Sequence, residues 1–291
     1  MIKIIERTKV WFTISLLVIL IGMGFTLFKG LNFGIDFKGG TLININMNKQ
    51  FEKEKVNSIL DKYAKDKYST KIANEGKEIE IIVQADVLNE EKTNELVSEI
   101  KKEFSLEDSA ILDKETIGGT IGKELKTKTL LALIVANLAM LVYVGMRFEF
   151  SFAAAAIIAL VHDVLVTIGV YAILGIPVNT PFIAAILTIV GYSINDTIVI
   201  FDRIRENSKK MRKVSVDEIA NTSINQTLSR SINTSLTTLF TITAVYIFVP
   251  TIREFSFPLI VGIATGAYSS IFIASPMWVM LKKRKLSPAT K

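Results

Sequence analysis

The chain of 291 residues contains no cysteine and one histidine, His162. Disulfides, thiol nucleophiles and cysteine-based zinc sites are therefore excluded, and a Ser–His catalytic pair has a single possible position. No G-x-x-x-x-G-K-[ST] or G-x-G-x-x-G run occurs anywhere, so Gly118, Gly119 and Gly122 form no phosphate loop and ATP hydrolysis is not indicated. The absence of cysteine fits any compartment. What is abundant is apolar: half of the residues are hydrophobic and the mean hydropathy is +0.41. That is the composition of an integral membrane protein. The formal charge of +6 suggests nucleic-acid binding only until the positions of the charges are considered.

Apolar stretches of about 20 residues, the length a helix needs to cross a bilayer, recur six times. They are Val10–Phe28, Thr129–Met146, Phe150–Leu174, Pro181–Phe201, Ile232–Val249 and Phe257–Leu281. The first follows Lys3, Arg7 and Lys9, is longer than a signal-peptide core and is followed by no small-x-small cleavage site, so an uncleaved anchor is expected. Basic residues cluster before the first span, between the second and third (Arg147), between the fourth and fifth (Lys209, Lys210, Arg212, Lys213) and after the sixth (Lys282, Lys283, Arg284, Lys285). With six crossings all of these lie on one side. The short opposite loops hold one basic residue, Arg253. The positive-inside rule then makes both termini cytoplasmic in a multi-pass protein, with nucleic acid an unneeded partner and lipid the natural surroundings.

The division expected is a cytoplasmic N-terminus with the first span (1–28), an extracytoplasmic domain (29–128), five further spans (129–281) and a basic cytoplasmic tail (282–291). In the external segment Thr41–Met47 alternates as a strand does. Phe51–Lys65 and Asn89–Phe104 carry apolar residues at helical spacing. Tyr68–Ala73 and Glu78–Gln84 read as a hairpin around Asn74–Gly76, and Ala110–Ile117 as a last strand. The order β-α-β-β-α-β predicts a small ferredoxin-like sandwich. The fold class is thus an α-helical membrane protein with six transmembrane helices and a small extracytoplasmic α/β domain.

Polar residues within the spans are the candidate functional set. Asp196 lies fifteen residues from Pro181, about 22 Å by helix rise, and about 10 Å from Arg203. An ionised aspartate facing lipid there costs about 2.5–3.5 kcal/mol even on insertion scales, so it must face protein, water or a countercharge, or take up a proton. Thr188, Tyr192 and Asn195 follow i, i+4, i+7 spacing, and Asp196 adjoins that stripe. Span three carries His162, Asp163 and Thr167. Span five opens with Arg230, Asn233, Thr234, Thr237 and Thr241 on one face. An Asp196–Arg230 pair, made when the acid is ionised and broken when it is protonated, would couple ion movement to helix movement. One charge through 100 mV is worth about 2.3 kcal/mol, so a membrane potential is sufficient to drive such a cycle. The alternatives are structural. Asp202, Arg203 and Arg205 suit a solvated helix end; Arg230 can snorkel to the interface; the hydroxyls of span five can serve helix packing; His162 can be an interior hydrogen bonder.

Stretches "GLNFGIDFKGGT" (Gly30–Thr41), "IGGTIGKEL" (Ile117–Leu125), "ALVHDV" (Ala159–Val164), "VGYSINDTIVIFDRIREN" (Val190–Asn207) and "SRSINTSLTT" (Ser229–Thr238) run in order from end to end. In them the chain resembles the SecF family, the smaller subunits of the bacterial SecD–SecF accessory complex of protein export, within the resistance-nodulation-division superfamily. The matching motif positions include Gly34, Asp36, Gly39, Gly40, Gly118, Gly122, Glu124, Leu125, Asp202 and Arg203, while Gly119 stands where that family often has proline. The resemblance implies a non-enzymatic role in the cytoplasmic membrane. It implies a separate SecD-like partner in a six-plus-six membrane domain, association with the SecYEG channel, and unfolded proteins in transit as cargo. It also implies a coupling ion, H+ or Na+, and no other cofactor. By motif match Asp196 and Arg230 correspond to proposed proton-path residues, with Asn195, Asp163 and His162 beside them. An ion-driven small-molecule or lipid exporter of the same superfamily, which generally has larger external domains and twelve spans, and a non-transporting scaffold are the competing expectations.

Overall fold

In the computed structural model, which describes residues 2–147 and 149–286, the chain divides into two units. One comprises Met1–Asn32 with Ala132–Lys291, the other Phe33–Leu131. Of the basic tail expected at 282–291, residues 287–291 lie outside the described residues; Lys282–Lys285 continue the last helix.

Six helices, among the described residues, are long and apolar enough to cross a membrane. They are α1 (Thr8–Lys29) and, after the smaller elements α2 to α4 of the other unit, α5 (Gly119–Arg147), α6 (Phe150–Leu174), α7 (Thr180–Lys210) and α8 (Val216–Phe248). The sixth is composite: α9 (Arg253–Ser269), a π-helical turn (Ser270–Ala274) and α10 (Ser275–Leu286). Local chemistry sets the ends. Gly175 closes α6 in the left-handed conformation (φ 66°), its N–H bonding the Tyr171 carbonyl. Pro181 opens α7, where a missing N–H costs nothing. The Ser215 hydroxyl accepts from the Glu218 N–H, and Asp217 and Glu218 place negative charge at the start of α8.

Two helices outrun their expected spans. The 31 residues of α7 and 33 of α8 reach about 46 and 50 Å. A hydrocarbon core is about 30 Å thick. The surplus is the charged Asp202–Lys210 end of α7 and the polar Val216–Arg230 start of α8. The fifth span is thus the second half of a longer helix. Asn207 ties the two extensions together, donating to Ser223 Oγ at 2.8 Å and Gln226 Oε1 at 2.9 Å. Phe152 of α6 packs between Phe201 of α7 (4.9 Å between ring centres) and Trp278 of α10 (5.0 Å) in the core beside them.

Small residues set the helix crossings. α1 meets α6 at Gly22 and Gly169, where a methyl group on Gly22 would lie 2.7 Å from the Gly169 Cα. Gly262 and Gly266 of α9 receive Ile189 and Ser193 of α7 in the same way. Lipid gives no hydrophobic reason for helices to associate, so close backbone approach supplies van der Waals contact instead.

The second unit holds the predicted β-α-β-β-α-β arrangement. Its elements are β1 (Gly40–Asn46), α3 (Lys53–Ala64), β2 (Tyr68–Ala73), β3 (Glu78–Gln84), α4 (Glu90–Phe104) and β4 (Ile111–Ile117), preceded by the short α2 (Ile35–Lys38). The strands are antiparallel in the order β2-β3-β1-β4. Alternation puts Ile43, Ile45, Ile79, Ile81 and Val83 on one face, closed by Val56 and Leu60 of α3 and Leu96 and Ile100 of α4. Of the motif glycines of this unit, Gly39, Gly40 and Gly122 are packing residues. Gly39 (φ 74°) and Gly40 (φ 142°) take conformations costly for other residues. A methyl on Gly39 would lie 2.8 Å from the Gly119 Cα, and one on Gly122 would lie 2.9 Å from the Gly39 nitrogen. Gly34 flanks α2 at its start, Asp36 lies within α2, and Gly118 immediately precedes α5. Glu124 pairs with Lys128 on the exposed side of α5 at 2.7 Å, and Leu125 is half-buried.

Candidate functional site in the helical unit

Two carboxylates lie inside the helical unit, Asp163 with no exposed surface and Asp196 with 3%. Their surroundings differ.

Asp163 of α6 joins three helices. Its Oδ2 accepts from Ser193 Oγ of α7 at 2.6 Å and from Ser269 Oγ of α9 at 2.8 Å. Its Oδ1 lies 2.9 Å from Nδ1 of the adjacent buried His162. The Thr167 hydroxyl, one turn on, donates back to the Asp163 carbonyl at 2.8 Å. The His162 ring stacks near Tyr268 (6.0 Å between centres), and the Tyr268 hydroxyl donates to the Trp11 carbonyl of α1 at 3.1 Å. The network therefore runs from α1 through α9 and α6 to α7. Beside it, Thr197 and Ser270 share a hydrogen bond at 2.8 Å, and Ser275 Oγ donates to the Ser270 carbonyl at 3.0 Å, an i, i+5 bond within the π-helical turn. That wider turn brings the successive residues Ser269 and Ser270 both into the α6–α7–α9 interior.

Asp196 is bound by one hydroxyl, Ser235 Oγ of α8, donating to Oδ2 at 3.0 Å. The expected partner Arg230 is exposed and forms no ion pair with Asp196 among the described residues, although its charge acts on that carboxyl. The reason is helix phase. Buried positions on α8 include Ser223, Thr227, Ser231 and Ser235, a row at four-residue spacing. Arg230, Asn233, Thr234, Thr237 and Thr241 lie on the other side and are exposed. The same correction applies to α7. Asn195 and Thr188 are exposed, whereas Ser193, Asp196 and Thr197 point inward. Successive helical residues differ by about 100°, so the neighbour of an outward asparagine faces in. Tyr192 bridges the two outward stripes, its hydroxyl donating to the Thr234 carbonyl at 3.2 Å and meeting Thr238 Oγ1 at 3.1 Å.

Of the remaining predicted positions, Asp202 pairs with Arg205 at 2.8 Å and Arg203 with Glu206 at 2.9 Å, both half-exposed along α7, the geometry of a solvated helix end. Sequence reasoning passed over Ser193, Ser235 and Ser269, the hydroxyls that hold the carboxylates. The four-residue recurrence of Ser223, Thr227, Ser231 and Ser235 was the available signal. Chemically the site is two shielded acids, each held by serine hydroxyls, with a histidine beside Asp163.

The comparisons agree with this architecture. The family described as "Protein export membrane protein SecD/SecF, C-terminal" matches residues 97–284, and the "SecD/SecF GG Motif" matches residues 24–50. The protein translocase subunit SecF of Desulfurispirillum indicum is 42% identical over 272 residues, covering 90% of this chain and 86% of the relative. That of Sebaldella termitidis is 38% identical over 292 residues, covering 99% and 94%. The crystal structure of SecDF, a translocon-associated membrane protein, from Thermus thermophilus superposes with a TM-score of 0.88 at 36% identity. It is matched over 97% of this chain, which spans only 39% of that longer chain. With both family models matched in order, and six membrane-length helices and a four-stranded domain common to the solved relative, the chain belongs to the SecD/SecF family of protein-export membrane proteins.

Proposed function

We propose that this chain is the SecF-type subunit of an ion-driven protein-export complex. In this proposal it joins a SecD-like partner and the SecYEG channel, and uses a proton or sodium gradient to draw unfolded proteins outward. It sits in the bacterial cytoplasmic membrane with both termini inside, an orientation supported by the one-sided distribution of lysine and arginine. It performs no covalent chemistry of its own. The partner's place is the face on which Asn195, Asn233 and Thr237 are exposed, since polar side chains at membrane depth are unfavourable against lipid. In the isolated chain Arg230 forms no ion pair among the described residues, although its charge acts on Asp196; closure of that face by a second subunit would change the surroundings of both.

The observation that carries the proposal is the burial of Asp163 and Asp196 among hydroxyls and one histidine at membrane depth. Buried intramembrane acids mark ion pathways, because their cost is retained only for use. Membrane vesicles containing Asp196→Asn, its partner and the channel should lose the gradient-dependent share of reporter-protein export and keep the ATP-driven share. Full gradient-dependent export by that variant would refute the proposal. Varying pH and sodium independently in the same vesicles identifies the ion.

A further inference from the structure

A groove of about 560 Å³ opens between α1 and α10 at the basic end of the helical unit. Its apolar wall is Phe12, Pro276, Val279 and Met280, and its polar end holds Lys9 and Lys283. The α10 residues follow i, i+3, i+4, i+7 spacing and so form one continuous face. The volume is that of a small-molecule site, and the groove is separate from the two carboxylates. Glu6 and Asp217 also line it. Each is already engaged: Glu6 Oε2 accepts from Asn221 Nδ2 at 3.0 Å, and Asp217 Oδ2 pairs with Lys283 at 2.6 Å. Lys9 takes part in no ion pair among the described residues, nor do Lys3 and Arg7 beside it. The second oxygen of Asp217, Oδ1, is buried without a hydrogen-bond donor among them.

We propose that this groove is a binding site for an anionic phospholipid, of the phosphatidylglycerol type. An acyl chain lies along Phe12, Val279 and Met280, and the phosphate meets Lys9. Basic pockets between membrane helices select anionic headgroups on electrostatic grounds. The unpaired Lys9 at the polar end disfavours the ammonium of a phosphatidylethanolamine. The bound lipid would bridge the first and last membrane helices, which contribute the opposite walls.

The test is native mass spectrometry of the full chain in mild detergent. It is titrated with dioleoyl-phosphatidylglycerol or with dioleoyl-phosphatidylethanolamine, with thermal midpoints recorded for each variant. The wild-type chain should retain the anionic lipid preferentially. Lys9→Gln should lower that preference about fivefold, the effect of one basic group near an anionic surface. Lys9→Arg should keep it, and Met280→Trp, filling the exposed wall, should reduce retention of both lipids. Equal retention of the two lipids by the wild-type chain overturns the proposal. So does undiminished phosphatidylglycerol binding in both Lys9→Gln and Met280→Trp, or displacement of the lipid by a co-purifying polypeptide in the same groove.

Discussion

Replacing Asp163 separates what its charge does from what its shape does. In Asp163→Asn the amide oxygen can still accept from Ser193 and Ser269, and the amide nitrogen can face His162 Nδ1, so the three contacts at 2.6, 2.8 and 2.9 Å have counterparts. What is lost is charge assistance, which roughly doubles a hydrogen bond's strength. Interhelical hydrogen bonds within membranes average about 0.6 kcal/mol and reach about 1.7, so the variant should cost about 1–2 kcal/mol. In Asp163→Ala all three contacts vanish and a void opens between α6, α7 and α9. The two serines can retreat to carbonyls of their own helices, as Ser269 already does toward Gly266 at 3.3 Å. The void and the lost bonds together should cost about 3–4 kcal/mol. Reversible unfolding in mixed micelles measures both variants. Asparagine should also abolish gradient-dependent export in vesicles while leaving the fold, because it binds no proton. Two results would refute the reasoning: equal destabilisation by asparagine and alanine, or full export by the asparagine variant.

Two further outcomes test the helix packing and the second unit. A methyl group on Gly262 overlaps the Ile189 side chain, so Gly262→Ala should destabilise by about 1–3 kcal/mol, and Ile189→Ala by about 2–5. Because each relieves the other, the double variant should be less destabilised than the sum, and an additive cycle would show that the two side chains do not share that space. In the second unit, hydrogen bonds from Lys62 (2.6 Å) and Tyr63 (2.8 Å) hold the Glu99 carboxyl below its ordinary range. A carboxyl depressed by folding adds stability above its unfolded range and loses it as pH falls through the folded value. Hydrogen-exchange protection of α3 and α4 should therefore weaken on acidification below about pH 4, the ordinary glutamate range, and Glu99→Gln should remove that acid-side change.

The number of membrane-length helices, the β-α-β-β-α-β order of the second unit and the place of Asp163 and Asp196 within apolar spans follow from the amino-acid sequence alone. Hydropathy adds along the chain, bilayer thickness sets the length of a span, and strand alternation needs only neighbouring residues. Tertiary structure decided which side of each helix faces inward. A serine or threonine is at home on either face, because its hydroxyl can bond its own helix, as Thr234, Thr237 and Thr241 do toward the carbonyls of residues 230, 233 and 237. The stripe Thr188–Tyr192–Asn195 and the row Ser193–Asp196–Thr197 therefore look equally suited to the interior in one dimension. Only the close approach of α9 at Gly262 and Gly266 and the π-helical turn at Ser270–Ala274 made Ser193 and Ser269 the partners of Asp163. Helix phase likewise gave Asp196 to Ser235 and left Arg230 on the outer face, since packing neighbours far apart in the chain, rather than the residues beside it, determine where a side chain points.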